Sequence, residues 1–193
     1  MNDNLLILFI RNAVDGKVHP SIIRLVGESN ALETYLQMLQ HLRDISSTLP
    51  AEKLVLYSDF IETGDVFEED TYGKEMQSGG DTGSRLADAF KSGFERGYKR
   101  VVLVMGECSE MSRSHIVEAF ENMKETSVVV GPAEEGGYYL LGMNKYVNAF
   151  FEGKDWNGED VFLDTILDIQ KLDLPFRLLD TLPAVSQMPV HHP

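Results

Sequence analysis

The sequence is poor in cysteine and in cations, and it lacks any long apolar run. Its one cysteine, Cys108, excludes an internal disulfide and fits a reducing compartment. Lys and Arg number 17 against 31 Asp and Glu, for a formal net charge of −14. That balance argues against non-specific nucleic-acid binding and against an anionic membrane surface, since both need a basic patch. It leaves room for a small phosphorylated ligand, which a few local cations and backbone N–H groups can hold. The apolar run near the N-terminus, LLILFI, has no basic region before it and is too short for a signal peptide or a membrane span. It reads as a buried strand, and the chain as a cytoplasmic protein with no membrane span. Internal repeats, low-complexity tracts and dividing linkers are also missing, so residues 1–193 read as one domain.

What is present alternates between strand-like and helix-like patterns. Residues 5–11 form a continuous apolar run of the kind buried on both faces of a parallel sheet. Residues 30–45 place Leu32, Leu36, Leu39 and Leu42 at helical spacing, with Asn30 as the expected cap. Strands are expected at 53–57, 100–105, 127–131 and 176–179, and helices at 82–97, 112–123 and 160–172. Residues 58–80 are polar, acidic and glycine-bearing and read as a long surface loop with at most a short helix. Such alternation predicts an α/β fold, a mostly parallel open sheet with helices on both faces.

In such sheets ligands bind beyond the carboxyl ends of the strands. Four segments are thereby singled out. In the loop after the first strand, Arg11, Lys17 and Arg24 are candidate phosphate contacts, because guanidinium and ammonium groups match phosphate oxygens. His19, next to Pro20, reads as an exposed loop residue rather than a base or ligand. The second segment, QSGGDTGSRL, joins a glycine-rich turn to a helix start. Gly80, Asp81 and Arg85 stand there, with Asp81 or Thr82 as cap, and free N–H groups favour an anion.

In the third segment, MGECSEM, Glu107 follows a strand directly. Hard cations take oxygen ligands and often use one or two carboxylates plus substrate phosphates, so Glu107 is the candidate ligand for Mg or Mn. Cys108 beside it reads as structural. The fourth, VVVGPAEEGGYYLLGM, sets Glu134, Glu135, Gly136, Gly137 and Tyr138 between two apolar runs. Carboxylates there can take a proton or accept sugar hydroxyls, and Gly-Gly lets a backbone approach a ligand closely. Trp156 can stack on a base or sugar, or pack under a loop.

Taken together, the blocks GGDTGSRLADAF, VVLVMGECSEM, GPAEEGGYYLLG and FFEGKDWNGEDVFLDTI resemble a bacterial family of GT-A-type, nucleotide-diphospho-sugar-transferase-like proteins, sometimes called radical-SAM/selenodomain-associated glycosyltransferases. The resemblance implies a Rossmann-like GT-A fold and a metal-dependent glycosyltransferase acting on a nucleotide-diphospho-sugar and an unidentified acceptor. It places the nucleoside diphosphate near the first loop, the metal at Glu107, and the sugar or acceptor at the Gly-Gly block, with Glu134 and Glu135 as catalytic candidates. A homodimer is compatible with it.

The chain also departs from the family. Where Lys-Thr-Arg-Leu is usual it reads His19, Pro20, Ser21 and Ile22. Glu107 and Glu135 replace aspartates, and Ala184, Val185, Ser186 and Gln187 stand where a second metal carboxylate is expected. Each lost charge-assisted phosphate contact costs about 1.5–3 kcal/mol, so the departures imply weakened activity. The alternatives are a non-catalytic binding or regulatory module on the same fold, and a nucleotidyltransferase of the same superfamily.

Overall fold

The computed structural model describes residues 2–156 and 158–183. The family's second metal carboxylate, sought at 184–187, and the terminal His191 and His192 lie outside the described residues. A seven-stranded sheet forms the centre. Its strands are β1 (Asn4–Ile10), β2 (Glu52–Tyr57), β3 (Gly73–Met76), β4 (Arg100–Met105), β5 (Val128–Pro132), β6 (Tyr138–Met143) and β7 (Phe176–Leu178), in the spatial order β3-β2-β1-β4-β6-β5-β7. All neighbours are parallel except β6, which runs antiparallel to both β4 and β5. The mostly parallel α/β fold expected from the sequence is therefore present.

Helices cover both faces because alternate strand residues point to opposite sides. Leu6, Leu8, Ile10, Val102 and Val104 form one core with α1 (Pro20–Val26), α2 (Glu28–Ser46) and α4 (Arg113–Asn122). Leu5, Ile7, Val101, Leu103, Val128 and Val130 form the other with α3 (Thr82–Glu95) and α5 (Val161–Lys171). With both faces covered, β1 and β4 are apolar at every position after their first residues, Asn4 and Arg100. That is why β1 and β4 read as unbroken hydrophobic runs.

Several expectations need correction. The loop expected after the first strand, residues 12–27, is not all loop, since α1 lies within it. Pro20 stands at its first turn, where a missing N–H breaks no helical bond. Helix α2 begins at Glu28 behind Gly27. Asn30 is not the cap: it sits inside the helix and donates from Nδ2 to the Val26 carbonyl at 3.0 Å. The buried face of α2 is Ala31, Tyr35, Met38, Leu39 and Leu42, while Leu36 is exposed. The expected loop at 58–80 contains β3, paired in parallel with β2. Asp81 caps α3 as expected, and Ser112 caps α4. No helix among the described residues is long and apolar enough to cross a membrane.

Candidate active site at the ends of β1, β2 and β4

The strand order reverses direction around β1, whose neighbours β2 and β4 lead to opposite edges of the sheet. A crevice opens at such a switch point. Phe9 lies opposite Met105 and Ile10 opposite Tyr57, so the three carboxyl ends are level. Gly106 continues β4 and donates its N–H to the Phe9 carbonyl at 3.1 Å. A methyl group on it would come within 3.0 Å of Ile10 Cγ2. That close approach brings the next residues on each strand, Arg11 and Glu107, together: Arg11 Nε lies 3.7 Å from Glu107 Oε1.

A cleft of about 410 Å³ begins at this pair. Arg11, His19, Gln77, Arg85, Glu107 and Trp156 line it, along with Gly80 and Asp81. The Arg11 backbone is anchored by Tyr35 of α2, whose hydroxyl accepts from the Arg11 N–H at 2.9 Å and donates to the Arg11 carbonyl at 3.0 Å. Burial pushes the Tyr35 phenol well above its ordinary range, followed by the Glu107 charge, while contacts to Arg11 pull it back. Gln77 donates from Nε2 to the carbonyls of Ile10 at 2.8 Å and Leu56 at 3.1 Å. Its amide oxygen is thereby turned toward Arg85, which donates from Nη1 at 3.3 Å. Arg85 sits on the first turn of α3 and is held over the cleft by this contact.

The Glu107 side chain is 16% exposed. Burial raises its carboxyl above the usual carboxylate value, and the Arg11 charge partly offsets that. Asp81 is engaged locally: its Oδ1 accepts the Ser84 N–H at 2.7 Å, and this contact holds its carboxyl below the ordinary value. His19 lines the cleft and is half-buried. This corrects the expectation that it is an exposed loop residue. Burial first, then the Arg11 and Arg24 charges, hold its imidazole below its ordinary value.

Trp156 forms the far wall. It stacks on Phe151 at 6.4 Å between centroids and meets Tyr138 edge-on at 6.4 Å. Tyr138 is buried, and its hydroxyl lacks a hydrogen-bond partner among the described residues. A second cavity of about 250 Å³ shares Arg11 with the cleft and lies between Leu36, Leu39 and Tyr57 and the loop residues Glu62 and Asp65. That loop is tied down by Asp65, which accepts from the Tyr57 hydroxyl at 2.6 Å and pairs with Lys74 at 2.8 Å.

Of the residues singled out in the sequence, the structure gathers Arg11, Gly80, Asp81, Arg85, Glu107 and Trp156 around the cleft. Lys17 and Arg24 are exposed and do not line it. Glu134 and Glu135 are exposed on the β5–β6 turn, outside the lining residues. Gly136 has φ +90° and faces the chain itself: a methyl group there would overlap the Glu159 carbonyl oxygen. Its own carbonyl accepts the Phe162 N–H at 2.8 Å. The close approach that Gly-Gly was expected to permit to a ligand is, at Gly136, an approach to the loop before α5. Gly137 faces open space.

The sequence reading missed Tyr35, Gln77 and His19 as parts of the site. Tyr35 was legible as a polar-tipped residue on the buried face of α2, whereas Gln77 carried no local signal. Among the described residues there is no group of three or more metal-type side chains. Glu107 alone offers a divalent cation one oxygen donor, and such an ion fits only if substrate phosphates complete its shell.

A family model described as "Uncharacterized protein conserved in bacteria (DUF2064)" matches residues 45–158. Among curated proteins none matches the chain. Among solved structures, a "putative nucleotide-diphospho-sugar transferase" from Desulfovibrio desulfuricans G20 has a TM-score of 0.84 at 24% identity, covering 94% of this chain and 81% of its own. A 4-diphosphocytidyl-2C-methyl-D-erythritol synthase from Anaerococcus prevotii DSM 20548 has a TM-score of 0.58 at 11% identity, covering 98% and 92%. A Mycobacterium tuberculosis H37Rv protein solved as a complex with manganese has a TM-score of 0.54 at 11% identity, covering 95% and 93%. These likenesses establish the shared fold.

Proposed function

This chain belongs to the DUF2064 family of proteins conserved in bacteria, and on that premise we propose that it binds a nucleotide-diphospho-sugar in the cleft and transfers the sugar to an acceptor. The observation that carries the reading is the convergence of two guanidinium groups, Arg11 and Arg85, with the partly buried carboxyl of Glu107 at the switch point of the sheet. Two fixed cations suit a diphosphate, which offers several oxygens for charge-assisted hydrogen bonds. The Desulfovibrio and mycobacterial likenesses support a nucleotide-sugar substrate and a divalent cation by analogy of fold.

In this reading Arg11, its backbone anchored by Tyr35, and Arg85, held by Gln77, orient the diphosphate. Glu107 offers one oxygen to Mg or Mn, and the cation, when bound, neutralises charge on the leaving diphosphate. Trp156 supplies an apolar wall for the sugar, consistent with its half-buried ring. The Gly136–Gly137 turn and Tyr138 join this wall through the Tyr138–Trp156 contact. Glu135, with Glu134 beside it, is assigned to the acceptor side. The bond from the anomeric carbon to the diphosphate oxygen breaks, the acceptor oxygen bonds to that carbon, and Glu135 takes the acceptor proton. Lys17 on the first loop and Arg24 on α1 are exposed cations and contribute long-range attraction only.

A second reading is favoured by one observation: the candidate metal ligand already pairs with Arg11. On that reading the chain binds a nucleotide without turning it over. Calorimetric titration with UDP- and GDP-sugars, with and without manganese, separates the two. Metal-dependent micromolar binding, lost in Glu107→Ala and accompanied by release of nucleoside diphosphate, is expected for the transferase. Binding without release supports the second reading, and no response to any nucleotide removes both.

A further inference from the structure

His19 precedes the first residue of α1 and accepts the Ser21 N–H on its Nδ1 at 3.3 Å. The Ser21 Oγ lies 2.6 Å from the same nitrogen. An amide N–H can only donate, so Nδ1 must present a lone pair and cannot carry a proton. The serine hydroxyl therefore also donates to Nδ1. A neutral imidazole has one proton, and here it is left to Nε2. Nε2 has no hydrogen-bond partner among the described residues, and the ring lines the same cleft as Arg11 and Arg85.

We infer that His19 is fixed as the Nε2–H tautomer and serves as an uncharged hydrogen-bond donor to an oxygen of the anion held by Arg11 and Arg85. The inference rests on the reading of the cleft as a diphosphate site. It names the group that stands on this loop where resemblance to related chains leads one to expect a cation.

The charges around the ring explain why a neutral donor suits this position. Arg11 at the end of β1 and Arg24 on α1 both act on His19, and the ring is half-buried. A further positive charge would be desolvated beside two others, which is unfavourable. A neutral N–H avoids that cost while still offering directional recognition. The lock on Nδ1 also fixes the ring plane, so the donor is oriented before the ligand arrives. Protonation of Nδ1 would break the contact from the Ser21 N–H, so the cap at this corner favours the neutral form by geometry.

Two substitutions separate this role from simple capping. In His19→Asn the amide oxygen occupies the position of Nδ1 and keeps an acceptable cap, while nothing reaches the position of Nε2. In His19→Gln the side-chain amide reaches the position of Nε2, and the cap is lost. The probes are UDP and inorganic pyrophosphate, titrated calorimetrically in the presence of manganese into wild type and both variants. His19→Asn is expected to keep the wild-type melting temperature while its dissociation constant rises roughly tenfold. His19→Gln is expected to melt lower and to bind within about threefold of wild type.

Nitrogen-15 NMR of the imidazole, assigned by the signal missing from His19→Asn, is expected to show a protonated Nε2 and a bare Nδ1 in the free protein. Wild-type-like binding by His19→Asn, or a protonated Nδ1, overturns the inference and leaves the diphosphate reading standing. Failure of wild type to bind either probe overturns the diphosphate reading, and the inference falls with it.

Discussion

The indole of Trp156 packs against Gly83 so closely that a methyl group on Gly83 would overlap its Nε1 and come within 2.7 Å of the Phe151 carbonyl oxygen. Gly83 lies in the first turn of α3 and Trp156 in the loop before α5, so one missing side chain lets the far wall of the cleft close on the helix that carries Arg85. Gly83→Ala should displace the indole. Trp156 is the only tryptophan, so its fluorescence reports the change without interference. A red-shifted emission maximum and a stability loss of about 1–3 kcal/mol are expected. An unchanged spectrum would show that the wall does not depend on this contact.

The two glycines of the β5–β6 turn should behave differently. Gly136 combines φ +90° with a blocked Cβ position against Glu159, while Gly137 faces open space. Gly136→Ala is expected to cost at least about 2 kcal/mol in urea unfolding, and Gly137→Ala to stay within about 0.5 kcal/mol of wild type. Equal effects at both positions would contradict the packing described for this turn.

Glu107 should cost stability at neutral pH. Its carboxyl is raised above the ordinary value of 4.5, by burial first and against the Arg11 charge. A group whose folded value is raised contributes stability that is full below its unfolded value and is lost as pH rises through the folded value. Glu107→Gln removes that loss. The variant should therefore match wild type near pH 4.5 and exceed it at pH 8 by about 1 kcal/mol, while losing any response to manganese. A variant less stable than wild type at pH 8 would mean that the Arg11 pair outweighs burial.

Cys108 should be inert in the folded protein. It is buried, its Sγ lies 3.8 Å from the Pro183 carbonyl oxygen, and burial pushes its thiol up to about 11. At pH 8 the thiolate fraction is then small. Iodoacetamide should leave native protein unlabelled over hours and modify it rapidly in urea. Fast labelling of native protein would argue for an accessible thiolate at the end of β4.

How much of this was legible in the sequence depended on whether the cause was local. The runs of β1 and β4 and the Asp81 cap are written in adjacent residues, and each appears within a residue or so of its expected bounds. Strand β3, GKEM, was not legible because it is an edge strand with no buried position and no apolar pattern. Helix α1 was hidden by Pro20, which reads as a breaker unless its place in the first turn is known.

The site divided in the same way. Arg11 and Glu107 followed from the rule that ligands gather beyond strand ends, since Arg11 directly follows β1 and only Gly106 separates Glu107 from β4. Gly136 was recognised as special, but its partner Glu159 is brought to it only by tertiary packing. Gln77 owes its role to the carbonyls of Ile10 and Leu56, which belong to two other strands. Long-range contacts of this kind leave no mark in a local window.

The central claim is that the cleft at the ends of β1, β2 and β4 holds a nucleoside diphosphate. Its most direct test is the nitrogen-15 correlation spectrum of the protein, assigned and followed during titration with UDP and GDP in the presence of magnesium. Shifts should concentrate on the backbone of Arg11, His19, residues 77–85 and Glu107, and on the Trp156 indole, and they should saturate at one equivalent. Spectra that stay unchanged, or shifts confined to the exposed face of α5 around Leu163 and Leu167, would contradict it.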